Sequence, residues 1–230
     1  MSDSGSRLAE VYGADRPGLP RGRSSLPAEV VRAAQRGRLL RAMISSVAEL
    51  GYTGTTVAGV VGRARVSRKA FYDHFEDLED CLLAAVDEAE RAVVGELTAR
   101  REAAGPPGRT ARDLLRSGLA AYLALCAKEP EYTRCLMLEL PAAGPRALRR
   151  RQRSYASIAE LLKAWHARSS RDHPEWPEPS EYDYAGAVGA VAEIVFVKCA
   201  ENDTASLPRL VDEVTAIVLR VLAVPPDRPV

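Results

Sequence analysis

Apolar residues recur along this chain at the three- and four-residue spacing of half-buried helices, and no segment keeps the two-residue alternation of a strand. The first clear stripe runs from Leu40 through Ile44 to Val47. Gly51 follows this stripe at a position typical of a helix end, because glycine readily adopts the left-handed backbone that closes many helices. The pattern therefore predicts an all-α fold whose first helix begins at Pro27.

Two short helices joined by a tight turn are predicted next. Thr55 or Thr56 can cap the first of them, which ends near Arg63. Ser67 can cap the second, which ends near His74. The second short helix has an apolar face formed by Val66, Ala70, Phe71 and Phe75. We expect this face to pack on the apolar side chains of Leu40, Ile44, Val57 and Val60. The opposite face then exposes Arg68, Lys69, Tyr72 and Asp73.

The remainder of the chain also has helical periodicity. Asp77 opens a long helix that continues to about Ala104, before the helix-breaking segment 105–108. Further helices are predicted at 110–129, 130–140, 145–169, 181–201 and 207–223. The expected architecture is about nine helices, with an N-terminal three-helix helix-turn-helix domain followed by an antiparallel helical bundle. The expected divisions are a flexible N-terminal arm at 1–26, the helix-turn-helix domain at 27–76 and the bundle at 77–225.

Charge is distributed unevenly along the chain, although its net value is only +1. From Arg21 to Glu76 there are ten Arg and Lys residues against four acidic ones, a balance of +6, so the rest of the chain carries −5. A basic N-terminal third on an otherwise acidic protein is typical of a nucleic-acid binder. Arg21 and Arg23 in the arm could enter a minor groove, and a solubilising tail is the alternative.

Several short motifs occur in one register over residues 39–83. They are Glu49-Leu50-Gly51-Tyr52, Thr55-Thr56-Val57, Val66-Ser67-Arg68, Phe71-Tyr72 and His74-Phe75. Together they resemble the DNA-binding domain of the TetR family of bacterial regulators. The resemblance implies that this domain binds double-stranded operator DNA. It also implies that the C-terminal two thirds, which match the family only in style, bind an unknown small-molecule effector and form a homodimer.

The function that this resemblance implies is that of a ligand-responsive transcriptional regulator. The expected form is a repressor that leaves its operator when a small molecule binds in the C-terminal bundle. The alternative is a small-molecule-binding or interaction protein of the same fold that does not read a DNA sequence.

The second short helix is the recognition helix in this interpretation. Arg68 and Lys69 lie in its first turn, where such helices meet base edges. The resemblance assigns Tyr72 and His74 to the neighbourhood of phosphates, and Thr56 can offer a phosphate its hydroxyl and the amides of a helix N-terminus. The predicted DNA-contacting residues are Arg21, Arg23, Thr56, Arg65, Arg68, Lys69, Tyr72 and His74.

Two positions depart from the family pattern. Arg65 stands in the turn where the family usually has glycine, and we expect a reshaped turn because other residues adopt the left-handed backbone poorly. Leu78 stands where the family commonly has a phosphate-binding lysine, so that contact is absent. Arg63, Arg65 and the arm are expected to compensate electrostatically.

Several aromatic and sulfur-containing residues of the bundle are candidates for the effector pocket, although plain core packing is the commoner role for each. They are Tyr122, Cys126, Met137, Tyr155 and Phe196. The last two helices are apolar on nearly every side, which indicates burial against a two-fold mate, with burial inside one chain as the alternative. The predicted dimer interface comprises Gly186, Gly189, Ala190, Ile194, Val214, Ile217 and Val218. The arginines within 149–153 are interpreted as a solvated helix face rather than a second binding site.

No cofactor, metal site or catalytic activity is expected from the sequence. The four cysteines are widely separated and lack a C-x-x-C spacing, which favours reduced, buried thiols over a zinc site. Nucleophile and phosphate-loop motifs are also missing from the sequence. The apolar runs are shorter than the roughly 18 residues of a membrane span, and the first residues lack the apolar core of a signal peptide. A cytoplasmic protein without a membrane partner is therefore expected.

Overall fold

The computed structural model describes residues 27–102 and 109–225. Every regular element in these two ranges is helical, which confirms the predicted all-α fold. The nine α-helices in them are α1 (Ala28–Gly54), α2 (Val57–Ala64), α3 (Arg68–Tyr72), α4 (Leu78–Glu102), α5 (Ala111–Lys128), α6 (Pro130–Arg134), α7 (Pro145–Ser169), α8 (Glu181–Ala200) and α9 (Val211–Val221). A π-helical turn at Cys135–Glu139 and 3₁₀ turns at Leu140–Ala142 and Thr204–Leu210 lie between them. Arg21 and Arg23 of the predicted arm lie outside the described residues.

The described chain forms two compact units. The first contains the described residues up to Val94 and the later segment Glu131–Leu148. The second contains the described residues between Gly95 and Pro130 and those from Arg149 onward. Helices α4 and α7 therefore contribute to both units. The functional division expected at residue 76 stays a prediction.

A shared apolar core organises the first unit. One face of α1 is buried, and α2, α3 and α4 each add side chains to the same cluster. Its largest fully buried side chains are Leu39, Leu40, Met43, Ile44, Val47, Phe71, Leu82 and Leu140. Phe75 joins this core, and Val57 and Val66 pack at its edge, as the periodicity predicted. Burial of this face determines which side chains of α3 remain outside.

Polar contacts attach the segment Glu131–Leu148 to α1 within the first unit. The Cys135 thiol donates to the carbonyl oxygen of Ile44 at 3.3 Å. The Ser45 hydroxyl donates to Oε2 of Glu131 at 2.8 Å. The later segment is therefore part of the structure that supports α1.

Gly51 interrupts α1. Its backbone angles, φ 72° and ψ 164°, lie outside the helical region, so the predicted stop is present and only a short turn to Gly54 follows. The backbone N–H of Tyr52 donates to Oε2 of Glu139 at 3.0 Å. A Cβ atom at Gly51 would lie 3.3 Å from that oxygen. Both the backbone angle and this close approach favour glycine here.

The two short helices begin at side-chain caps. Thr56 Oγ1 accepts a hydrogen bond from the backbone N–H of Gly59 at 3.1 Å, and Ser67 Oγ accepts one from Ala70 at 3.1 Å. Thr56 is therefore the cap of α2. The alternative cap, Thr55, instead donates its hydroxyl to a carbonyl of the preceding turn at 2.8 Å.

In the second unit, α5 and α8 each begin with a capping box, at Thr110 and Ser180. In each box the hydroxyl and an aspartate three residues later satisfy one another's backbone N–H groups. Helix α9 packs on both α5 and α8. Trp165 of α7 donates its indole N–H to the carbonyl oxygen of Ala111 at 2.9 Å. The helices of the described ranges are all too short or too polar to cross a bilayer.

Candidate nucleic-acid interface

Helix α3 has five residues and two different faces. Ala70 and Phe71 are buried in the core of the first unit, together with Phe75 just beyond the helix end. The exposed side chains are Arg68, Lys69, Tyr72 and Asp73. The structure thus places the predicted polar face in solvent, and DNA binding by its residues stays a prediction.

Arg68 and Tyr72 form a connected pair on this face. The guanidinium carbon of Arg68 lies 5.8 Å from the centroid of the Tyr72 ring, within the range of a cation–π interaction. The Tyr72 ring packs edge-on against the buried ring of Phe71, with centroids 5.3 Å apart and an interplanar angle of 84°. Core packing at Phe71 therefore positions the exposed phenol, and the phenol positions the guanidinium.

Lys69 and Asp73 form a second pair, one helical turn apart. Nζ of Lys69 donates to both carboxylate oxygens of Asp73, at 3.1 and 2.9 Å. This hydrogen bond holds the pKa of the Asp73 carboxyl below its ordinary value, so the group is ionised at neutral pH. The backbone of Asp73 is also fixed, because Arg32 of α1 donates to its carbonyl oxygen at 2.9 Å.

His74 lies beyond the end of α3 and is partly buried, and its predicted contact with a phosphate stays a prediction. Burial, followed by the nearby charges of Arg32 and Arg36, lowers the pKa of the His74 imidazole below 6.5. The charged form of the ring is therefore disfavoured, and the neutral imidazole has a single N–H donor. That N–H can donate a hydrogen bond to a phosphate.

Thr56 is exposed at the N-terminus of α2. Its oxygen accepts the capping hydrogen bond from Gly59, which leaves the hydroxyl hydrogen available as a donor. The N-terminus of this eight-residue helix also favours a negative charge, because its first amides lack partners within the helix. Both features suit the predicted phosphate contact.

The turn between α2 and α3 is not reshaped, contrary to the expectation from the missing glycine. Arg65 itself adopts the left-handed backbone, with φ 54° and ψ 46°. The backbone N–H of Arg65 donates to Gly62, and that of Val66 donates to Val61 at 3.1 Å. These two hydrogen bonds form a Schellman motif, which satisfies the last carbonyls of α2 and outweighs the cost of the left-handed residue. The Arg65 side chain is exposed, and Arg65 lies three residues before the start of α3 in the sequence.

Arg65→Gly is expected to stabilise the protein by about 1 kcal/mol, because glycine adopts a left-handed backbone without the steric cost that arginine has. The midpoint of urea unfolding, followed by circular dichroism, measures this change. Arg65→Ala is the matched control, since it removes the same charge but keeps the steric cost of a left-handed backbone, so the midpoint should change little. Equal effects of the two substitutions would contradict a backbone origin.

The start of α4 carries no cation on the helix itself. Leu78 is partly buried and packs against the core of the first unit. Asp77 caps α4 by accepting from the backbone N–H of Asp80 at 2.7 Å. Arg146 brings a guanidinium to this helix start, with Nη1 3.4 Å from Asp77 and 3.5 Å from Glu79. Surrounding carboxylates therefore neutralise the positive charge at this position.

Residues 39–85 match a family model described as bacterial regulatory proteins, tetR family. This segment contains every predicted DNA-contacting residue except Arg21 and Arg23. The similarity to the TetR family therefore covers this segment of the chain. No curated protein sequence matches the chain.

Solved structures of transcriptional regulators share the fold of this chain. The fatty acid degradation regulator FadR from Bacillus halodurans aligns with a TM-score of 0.73 at 17% identity, over 84% of this chain and 97% of that one. FadR from Bacillus subtilis, solved in complex with stearoyl-CoA, gives 0.70 at 17% identity, over 79% and 96%. A TetR-like transcriptional regulator from Rhodococcus sp. RHA1 gives 0.62 at 19% identity, over 87% and 100%.

The predicted effector-pocket residues fall in two different units of the described chain. Met137 lies in the first unit, whereas Tyr122, Cys126 and Tyr155 lie in the second. Phe196, also in the second unit, is exposed on α8, so it does not line the interior of that unit and its assignment needs correction.

Tyr155 is a partly buried member of the predicted pocket set. Its hydroxyl accepts from Nη2 of Arg151 at 2.7 Å, and the guanidinium carbon lies 4.4 Å from the centre of its ring. Burial raises the pKa of the Tyr155 hydroxyl, and Arg151 opposes that shift. Arg150 is buried and donates to Ser154 at 2.5 Å. The arginine run is therefore not a uniformly solvated face, contrary to the prediction.

The predicted dimer residues fall into two groups. Gly186 is exposed, and Gly189, Ala190, Ile194 and Ile217 are partly exposed. Val214 and Val218 are 0% and 1% exposed in the single chain. The last two therefore belong to the core of the second unit, which corrects their assignment to a partner-facing surface. The sequence pattern missed two exposed apolar residues of α8, Tyr182 and Val197.

Sequence reasoning also missed Arg32 and Arg146 as neighbours of the interface. Arg32 precedes its partner Asp73 by 41 residues, and Arg146 follows Asp77 by 69. Helical periodicity carries no information on contacts at such separations. Only the three-dimensional packing of the first unit brings these cations to α3 and α4.

Proposed function

We propose that this chain is a ligand-responsive DNA-binding transcriptional regulator, and that it acts as a repressor released from its operator by a small molecule. The observation that carries the proposal is the exposed face of α3, where Arg68, Lys69 and Tyr72 stand on a helix anchored by buried Phe71. This face offers the donors that base edges and phosphates accept. A bidentate contact from Arg68 to guanine is the expected specific interaction.

A homodimer completes this proposal. Two copies of α3 would enter successive major grooves, at half-sites about 34–36 Å apart. Exposed Phe196 and Val197 on α8, with the small residue Gly186 exposed on the same helix, support a second copy of the chain as the partner. A two-fold interface is also the commonest way for a chain to cover such a surface.

The effector in this proposal binds in the second unit. Stearoyl-CoA is bound by the FadR protein of Bacillus subtilis, which shares the fold, so a long-chain acyl-CoA is the first ligand to test here. Tyr122, Cys126 and Tyr155 are the candidate contacts that remain in that unit. Binding would change the separation of the two α3 helices, with a coupling free energy of typically ~1–3 kcal/mol.

The second candidate function is that of a small-molecule-binding or interaction protein that does not read DNA. Two observations favour it. Leu78 packs against the core at the position where the family commonly has a phosphate-binding lysine. Asp73 forms an ion pair with Lys69, so the positive charge of Lys69 is already paired within the protein. Exposed Arg63, Arg65 and Arg68 favour the regulator instead.

Electrophoretic mobility shift with genomic fragments, including the promoter of its own gene, tests the regulator. We expect an operator with two symmetric half-sites, and an affinity whose logarithm falls with the logarithm of salt concentration by about 0.9 for each phosphate contacted. Stearoyl-CoA added to the complex should release the DNA. Failure to bind any fragment, or an affinity independent of salt, would leave the second candidate function.

A further inference from the structure

Asp73 is an acidic side chain on the face of α3 that is proposed to meet DNA. Its side chain is 50% exposed, and its neighbour Lys69 is 84% exposed. The two hydrogen bonds between them pair the lysine charge within the protein itself. In the free protein, Lys69 is therefore not available as an unpaired cation.

DNA can remove Lys69 from this pair at little cost, since exposed ion pairs contribute little to stability. The carboxylate of Asp73, however, cannot withdraw with its backbone. Arg32 holds the Asp73 carbonyl oxygen, and the Asp73 N–H donates to the carbonyl oxygen of Lys69 at 2.9 Å. The negative charge of Asp73 therefore stays within one side-chain length of the fixed end of α3 once Lys69 has moved.

The cost of this charge depends on the DNA sequence. Phosphates are present on every duplex, so the repulsion acts on every sequence. A carboxylate in the major groove can accept a hydrogen bond from the N4 amino group of cytosine. The N6 amino group of adenine is a donor of the same kind. Only a site that presents such an amino group to Asp73 compensates for the repulsion that remains after Lys69 has left the Asp73 carboxylate.

We propose that Asp73 is a specificity-determining residue, which weakens binding to non-cognate DNA and is compensated at a site that presents an amino group. This inference rests on the proposed function, because it requires α3 to bind DNA. It goes beyond the contacts of Arg68 and Tyr72, since it assigns discrimination to a charge that opposes binding.

The test compares wild type with Asp73→Ala on two probes, a mixed-sequence duplex and a duplex selected by the wild type from a random library. We expect Asp73→Ala to bind the mixed-sequence duplex on the order of 3–10-fold more tightly, because the substitution removes the repulsion between the carboxylate and the phosphates. The ratio of the two affinities should fall. In a Lys69→Ala background, the gain from Asp73→Ala should persist, because the repulsion comes from the carboxylate itself.

Glu213→Ala is the matched control, since it removes the same charge from an exposed position of α9 in the second unit. It should leave the mixed-sequence affinity and the ratio unchanged. The inference is overturned if Asp73→Ala leaves the mixed-sequence affinity unchanged, raises both affinities equally, or lowers both. If the wild type itself binds neither duplex, the proposed function fails, which is a different outcome.

Discussion

Phe71→Ala is expected to destabilise the first unit by about 3–5 kcal/mol, the usual cost of removing a fully buried aromatic ring. The Phe71 side chain has no exposed surface and lies in the core shared by α1, α2 and α4. Its ring also supports Phe75, at a centroid distance of 5.6 Å, and Tyr72. A loss of this size is a large fraction of the stability of an ordinary domain. Urea unfolding followed by circular dichroism measures it.

The adjacent ring supplies the control for this substitution. Tyr72→Ala also removes an aromatic side chain from α3, but that side chain is half exposed, so we expect little change in the unfolding midpoint. Similar losses from Phe71→Ala and Tyr72→Ala would contradict the assignment of the two faces of α3. Loss of DNA binding by Phe71→Ala alone would not distinguish unfolding from a missing contact.

Arg68→Ala is expected to lower the affinity for a selected operator by roughly 5- to 150-fold, which corresponds to ~1–3 kcal/mol. The guanidinium is the group on α3 that can contact guanine with two parallel hydrogen bonds. Tyr72→Ala should have a comparable effect, because it removes both a phosphate donor and the ring under Arg68. Footprinting on the operator, together with a mixed-sequence duplex, measures the loss of specific binding.

Arg68→Lys separates charge from geometry in this experiment. Lysine keeps the positive charge but lacks the planar fork, so operator affinity should fall while mixed-sequence affinity is kept. Retained footprints in both Arg68→Ala and Tyr72→Ala would refute the placement of the recognition surface on α3. Unfolding midpoints close to that of the wild type are required for either interpretation.

Local patterns predicted much of the first unit. The spacing of apolar residues located α1, α2 and α3, and it separated the buried side of α3 from the exposed one. Caps at Thr56 and Ser67 could be found because they depend on a side chain and a backbone amide three residues apart. Such features are determined by residues close together in sequence, so a single sequence contains them.

Other features depend on competition between distant or opposing effects. Arg65 was expected to change the turn, but two backbone hydrogen bonds keep it in the left-handed conformation. Val214 and Val218 belong to an apolar helix, and periodicity alone could not tell a neighbouring helix from a second chain. The charge of Arg150 indicated a solvent-exposed side chain, but the side chain is buried and donates a hydrogen bond to Ser154. Each of these outcomes requires knowledge of packing partners that composition and spacing do not give.

The path of the chain through the first unit limits how this protein can be divided. The segment Glu131–Leu148 returns to that unit after the chain has passed through Gly95–Pro130 of the second. It supplies the carboxylate beside Gly51, the thiol bonded to Ile44 and the buried side chain of Leu140. A contiguous N-terminal fragment would lack all three. The first unit consequently cannot be transferred to another protein as one continuous segment. A chimera must exchange both of its segments together.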